Sequence, residues 1–343
     1  TNELVLGTGF VFFSVATSRA NASVDLLERT SITGQNVILN ASATTVAVAE
    51  SVNEEFAMSY ALSVPEATVT LGDEVQVTAN GDVSILANSE SELEAAASSA
   101  SLAATESDAD ANITVAIGQG EATAEATIDS TAAITAARNI SIESRLRKTQ
   151  RVESVAGGFE DGTVGLSFAV SVFDTIHPDD DSSTIATNVA GSLTAGGSVR
   201  LDSTVDTVEN VTDATSSIGV TSKIGRSLKQ TIGLERLSNS LKSKSPNIAS
   251  SLILFIGTAL GQPGTAKQVA KAVQNDGSKK DDANDGKKQN FSFSGGTAVA
   301  FHQTSAETKI LEGSRIFAAD SISVLSNNTE IPEVSANTSV AIN

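Results

Sequence analysis

Two histidines, His177 and His302, and no cysteine are what this chain offers for nucleophilic, acid–base or zinc chemistry. His177 precedes Pro178 in a loop, and His302 closes an apolar strand, where it is expected at a strand edge. A catalytic or zinc pairing of the two has no support: thiolates are absent, and neither G-x-S-x-G nor H-E-x-x-H occurs. Hard oxygen ligands are more plentiful, in Asp108 and Asp110, in Asp179, Asp180 and Asp181, and in Asp281, Asp282 and Asp285. Calcium takes about six to eight oxygens, and Asp179 to Asp181 form the best candidate for it. The competing reading is a solvated turn, since neither an EF-hand loop nor a glycine-rich calcium nonapeptide is present. No other cofactor is expected, and the chain is not expected to be an enzyme.

Basic chemistry sits in two places. The run RLRKTQR, Arg145 to Arg151, reads as an outward strand face that offsets neighbouring acids, the alternative being a partner contact. From Lys223 to Lys288 twelve Lys and Arg stand against five Asp and Glu, a balance of +7 in a chain whose net charge is −19. The remainder therefore carries −26, which argues against a nucleic-acid surface over most of the chain.

The elements that must position these residues are repeated. LTAGGSVRL, from Leu193, occurs five times in altered form, the others being ITGQNVIL from Ile32, VTANGDVSI from Val77, ITAARNISI from Ile134 and IFAADSISV from Ile316. Each has an apolar residue, a short polar bend, and then apolar residues spaced i, i+2, the period of a half-buried strand. Val37, Val83, Ile140, Val199 and Ile322 are expected to stack inward on a common face. A more apolar stretch precedes each copy, as in FVFFSVA from Phe10, FAMSYALSV from Phe56 and VGLSFAVSV from Val164. The spacing gives a unit of about 46 to 66 residues, read as two coils each. One interval, 102 residues from Val199 to Phe301, is about seventy too long and locates an insertion. Leu93 to Ser107 is Ala-rich, which favours a helix, but its counterparts are rich in Val, Thr and Ser, so a strand is expected.

These features predict a mainly β chain: an elongated β-solenoid, parallel β-helix-like, of about five repeat units with a small α-helical insertion. Residues 1–220 form the repeats, 221–289 the basic helical insertion with a flexible loop, and 290–343 the continuation. In the insertion Ile224, Leu228, Ile232 and Leu237 recur near helical spacing. The apolar run Ile248 to Leu260 is too short to span a bilayer. Both ends read as cut, as in a fragment of a longer protein.

The pattern I/L-T-A-G-G-x-V-x-L, preceded by a V-A-V-A-like strand, resembles the repeats of large exported bacterial filamentous adhesins, including haemagglutinin-like and leukotoxin-type proteins. The resemblance covers about Thr1 to Ser217 and Phe291 to Asn343, and the GG pair survives intact only at Gly196 and Gly197. It implies a β-solenoid at the bacterial cell surface or in an extracellular filament. The expected function is structural, with self-association of identical chains through Lys223, Arg226, Lys229, Arg236, Lys242 and Lys244 on the first predicted helix. The alternative is a carbohydrate- or host-surface-binding module on the same scaffold. Sequons at Asn21, Asn40, Asn112, Asn139, Asn210, Asn290 and Asn337 matter only if the source glycosylates asparagine.

Overall fold

A computed structural model describes residues 13–53, 56–100, 111–158, 164–176, 183–218 and 293–340. Period-two alternation of small or β-branched residues with Ser, Thr and Asn makes nearly all of them strand. The chain runs through three parallel sheets in the same order five times. The first pass is β1 (Phe13–Leu26), β2 (Ser31–Gly34) and β3 (Val37–Asn53), and the second is β4 (Phe56–Leu71), β5 (Gln76–Ala79) and β6 (Val83–Ala100). In the third pass the leading strand splits into β7 (Ala111–Glu121) and β8 (Thr123–Ile128), followed by β9 (Ala133–Ala136) and β10 (Ile140–Gly158). The fourth comprises β11 (Val164–Asp174), β12 (Ile185–Val189), β13 (Ser192–Ala195) and β14 (Val199–Ile218). The fifth comprises β15 (Phe293–Gln303), β16 (Glu307–Ile310), β17 (Arg315–Ala318), β18 (Ile322–Thr329) and β19 (Glu333–Val340).

Each strand pairs in parallel with its counterpart in the adjacent pass, and the third sheet runs β18-β14-β10-β6-β3, with β19 also on β14. The five expected stacking residues lie in one row, Val37 against Val83, Val83 against Ile140, Ile140 against Val199 and Val199 against Ile322. The first four are buried, whereas Ile322, on β18 at one end of the row, is 49% exposed. Adjacent pairing makes each sequence repeat one pass, so the expectation of two coils per repeat is corrected: both recurring stretches belong to a single pass, in different sheets. The Ala-rich stretch is strand as far as Ala100. The expected helical insertion, 221–289, lies outside the described residues, which contain no helix.

The corners are built from recurring side chains. Between the first and second sheets Arg29 and Glu74 hold positive φ (63° and 57°), and in the fifth pass the left-handed position goes to Gly313 (89°), where it carries no Cβ penalty. Arg29 Nε donates to Glu74 Oε2 at 3.0 Å, tying two corners together. Between the second and third sheets Asn36 Oδ1 accepts from the Asp82 amide, Asp82 Oδ1 from Asn139 N and Nδ2, and Asn139 Oδ1 from the Ser198 amide. The Asn139 amide and then Arg138 hold the Asp82 carboxyl below the usual carboxylate range.

The interior has two parts. Near the second sheet it is filled by Val, Ile and Leu, among them Leu71, Val77, Ile85, Ile134, Ile142 and Leu193. Farther along the long strands the first and third sheets converge, and the filling becomes mostly alanine: Ala47, Ala49, Ala57, Ala61, Ala95, Ala116 and Ala169. There the large residues of the first sheet, such as Phe56, Met58, Tyr60, Leu62 and Val64, alternate with buried Ala and Ser and take the outer face. A Cβ on Gly118 would stand 2.5 Å from Val152 Cγ2 and 2.6 Å from Leu93 Cδ2, so the convergence leaves no room for alanine unless these move.

Candidate functional site

The neck between the two interiors is polar. Up the third sheet its inward row reads Thr45, Ser91, Lys148 and Thr207; up the first sheet the facing row reads Ser18, Ser63, Gly120, Phe173 and His302. In the first two passes small hydroxyls bridge the sheets, with Ser63 Oγ 2.6 Å from both Thr45 Oγ1 and Ser91 Oγ. In the third to fifth passes the same rows bring larger, ionisable groups together.

Lys148 lies within RLRKTQR, and the strand explains its direction. Inward residues of β10 are even-numbered, with Ile140, Ile142, Ser144, Leu146, Lys148, Gln150 and Val152 all buried. Arg145, Arg147 and Arg151 point outward, as expected of this run, and pair with Glu143, Glu90 and Glu153. Lys148 does not: its side chain is 0% exposed. On β14 the register shifts at Lys148/Thr149, so that Lys148 faces Thr207 and Thr149 faces Glu209. Val208 is the extra residue, 52% exposed. This bulge switches the inward set from odd positions (Val205, Thr207) to even ones (Asn210, Thr212, Ala214), and so aims Asn210 at the neck.

Glu330, from the break between β18 and β19, completes the cluster. Lys148 Nζ lies 2.7 Å from Glu330 Oε2 and 2.9 Å from Oε1, and it stands 4.4 Å over the centre of the Phe173 ring. Thr207 and Thr304 each donate to Glu330 Oε2 at 3.2 Å. Asn210 Nδ2 reaches Glu330 Oε1 at 2.5 Å and His302 Nδ1 at 2.6 Å, while Asn210 Oδ1 is buried with no partner. His302 Nδ1 is 3.1 Å from Glu330 Oε1 and its Nε2 2.8 Å from Ser171 Oγ. The imidazole is 4% exposed: His302 lies one residue before the end of β15, the edge strand of the first sheet, on an inward position. Phe173 fits because its partner on the next rung is Gly120.

The electrostatics follow from burial. Desolvation lowers the Lys148 ammonium below its usual range, although contact with Glu330 opposes this. For Glu330 desolvation acts upward, but hydrogen bonds from His302 and Lys148 and their charges outweigh it and hold the carboxyl at about 2. The resting state is therefore an ion pair whose amine gives up its proton more readily than a surface lysine does. An amine, a carboxyl, an imidazole and a carboxamide in contact, with an aromatic ring excluding water, can pass protons among themselves and expose the amine as a nucleophile.

Of the residues singled out from sequence, the cluster holds His302, the sequon residue Asn210 and Lys148 of the basic run. Asp179, Asp180 and Asp181, Asp108, Asp110, the Asp281–Asp285 group, His177, and Lys223, Arg226, Lys229, Arg236, Lys242 and Lys244 lie outside the described residues. Among the described residues no group of three His, Asp or Glu side chains could hold a metal ion. Two sequon asparagines, Asn112 and Asn210, are buried and cannot accept a glycan in the folded chain. The signal that could have found Lys148 was parity, since it shares the even register of Ile140, Ile142 and Leu146. No family model, curated protein or solved structure matches the chain.

Proposed function

We propose that the chain is a segment of a β-solenoid that serves as a structural shaft in an extracellular bacterial filament or surface adhesin. The observation that carries this reading is the repeated passage through three parallel sheets in one order, with parallel pairing of counterpart strands over five passes. Such a scaffold lengthens by adding passes, because each pass contacts only its neighbours. On the outer face of the third sheet the pairs Arg147–Glu90 and Arg151–Glu153 support a role for that face in water. Self-association through the basic 221–289 stretch of identical chains is part of the proposal, because +7 there faces −26 elsewhere and complementary potentials fix register between copies.

Sedimentation of the full chain, with electron microscopy of the same samples, tests it. Elongated particles that associate at low salt are expected. They should separate as ionic strength rises, because exposed attraction is screened over about 10 Å at 0.1 M. Reversing Lys229, Arg236 and Lys242 to Glu should abolish the low-salt species. A compact, monodisperse particle at every salt concentration would refute both the shaft and its assembly.

A further inference from the structure

We propose that Lys148 and Asn210 are the two ends of an intramolecular amide cross-link that the chain forms on itself, with Glu330 as the proton carrier. This concerns the neck cluster alone and stands or falls apart from the filament reading. The cluster holds the three groups that such a reaction needs. Lys148 Nζ is a primary amine sealed from water under the Phe173 ring. The Asn210 carboxamide is 3% exposed and sits on the neighbouring strand, turned inward by the Val208 bulge. Glu330 Oε1 touches both, at 2.9 Å from Nζ and 2.5 Å from the Asn210 amide. Amine and carboxamide are thus no farther apart than two hydrogen bonds to one shared atom.

The amide orientation matters. With Nδ2 toward Glu330 and His302, Oδ1 has no partner. Turning the group about its last bond is sterically near-neutral, since the two atoms differ little in size. It brings Oδ1 against Glu330 Oε1 and His302 Nδ1, either of which can donate to it once protonated. In that orientation the carbonyl is polarised and Cγ becomes electrophilic.

The steps balance as follows. The Lys148 ammonium passes a proton to Glu330 Oε1, 2.9 Å away and the oxygen that also faces the Asn210 amide, leaving a neutral amine opposite a carboxylic acid; desolvation of the ammonium lowers the cost of leaving the ion pair. The Nζ lone pair attacks Asn210 Cγ, and the carbonyl π pair moves onto Oδ1, where the Glu330 acid donates. On collapse the Cγ–Nδ2 bond breaks. A second Nζ proton, relayed by the Glu330 carboxylate, goes to Nδ2, which departs as ammonia; as the carbonyl re-forms, Oδ1 returns the first proton to Glu330, from which solvent takes it. One C–N bond forms and one breaks, nothing is oxidised or reduced, and no co-reactant is required. The product joins β10 of the third pass to β14 of the fourth covalently across the neck.

Intact-mass measurement of the purified 343-residue chain is the test, followed by digestion and fragment sequencing. The folded chain is expected to be lighter than its sequence by one ammonia, with a branched peptide joining Lys148 to Asn210. Lys148→Arg and Asn210→Ala should each restore the full mass. Glu330→Gln, checked for an unchanged β-type circular dichroism spectrum, should fold and keep the full mass. A folded wild-type chain at its full sequence mass after prolonged incubation overturns the proposal. So does loss of water in place of ammonia, which would place the bond on Glu330, and so does an ammonia loss that persists in Asn210→Ala. Should Glu330→Gln not fold, the branched peptide in the wild type still decides.

Discussion

Gly120→Ala is the substitution that most directly tests how the neck is packed. A Cβ at Gly120 would stand 2.3 Å from Phe173 Cδ2 and 2.4 Å from Cε2, well inside contact distance, with Phe173 itself 1% exposed and held on the next rung. The ring cannot retreat freely: Lys148 Nζ stands 4.4 Å from its centre, and the His302 ring lies 6.5 Å away, centre to centre. Overpacking of this kind costs about 1–3 kcal/mol. An alanine in a strand returns about 0.5–1 kcal/mol of backbone entropy relative to glycine, so a net loss of about 0.5–2 kcal/mol is expected. Urea unfolding followed by circular dichroism reads it as a lower midpoint at unchanged slope. Phe173→Leu in the Gly120→Ala background should recover part of the loss, although Phe173→Leu alone destabilises the chain, giving a coupling of opposite sign to the single effects. Gly120→Ala as stable as wild type, or a double variant that is merely additive, would refute the claim that ring and glycine share one space.

The remaining predictions concern the stack and its titration. Val199→Asp places a carboxylate in the row of Val83, Ile140 and Val199 with no partner, and should cost several kcal/mol. Ile322→Asp, in the same row but 49% exposed, should cost far less, and equal losses in the two unfolding curves would contradict the stacking. For pH, the relevant chain is Asn210→Ala, which keeps the Lys148 amine. Glu330 titrates at about 2 when folded against an ordinary value of 4.5, so its contribution is present above 4.5 and is lost as pH falls from there toward 2. Its size is at most about 3 kcal/mol. Unfolding midpoints of Asn210→Ala and Asn210→Ala/Glu330→Gln should differ at pH 7 and converge near pH 2; a gap that widens on acidification would reverse the assigned sign.

What the amino-acid sequence determined was local and periodic. Alternation at i, i+2 made strands, and the fivefold recurrence of one apolar–bend–apolar stretch aligned Val37, Val83, Ile140, Val199 and Ile322 in one row. Repeated local free-energy minima stack in register because a shift by one residue would turn every apolar side chain outward. The cross-section was not legible in the same way. Along Phe56 to Val64 both parities are apolar, large residues alternating with Ala and Ser, and hydrophobicity alone does not tell which set lies inside. Only the approach of the first and third sheets decided it, by admitting alanine, serine and glycine and excluding the larger side chains. The neck cluster was further still from view. Lys148 sits in a run whose arginines do face solvent, and it became interior by the parity of its strand. Asn210 turned inward because of a one-residue bulge, and Glu330 arrived from 182 residues away. Contacts at that separation depend on which passes stack on one another, a property of the assembled fold, whereas each alternating segment carries only its own preference for a face.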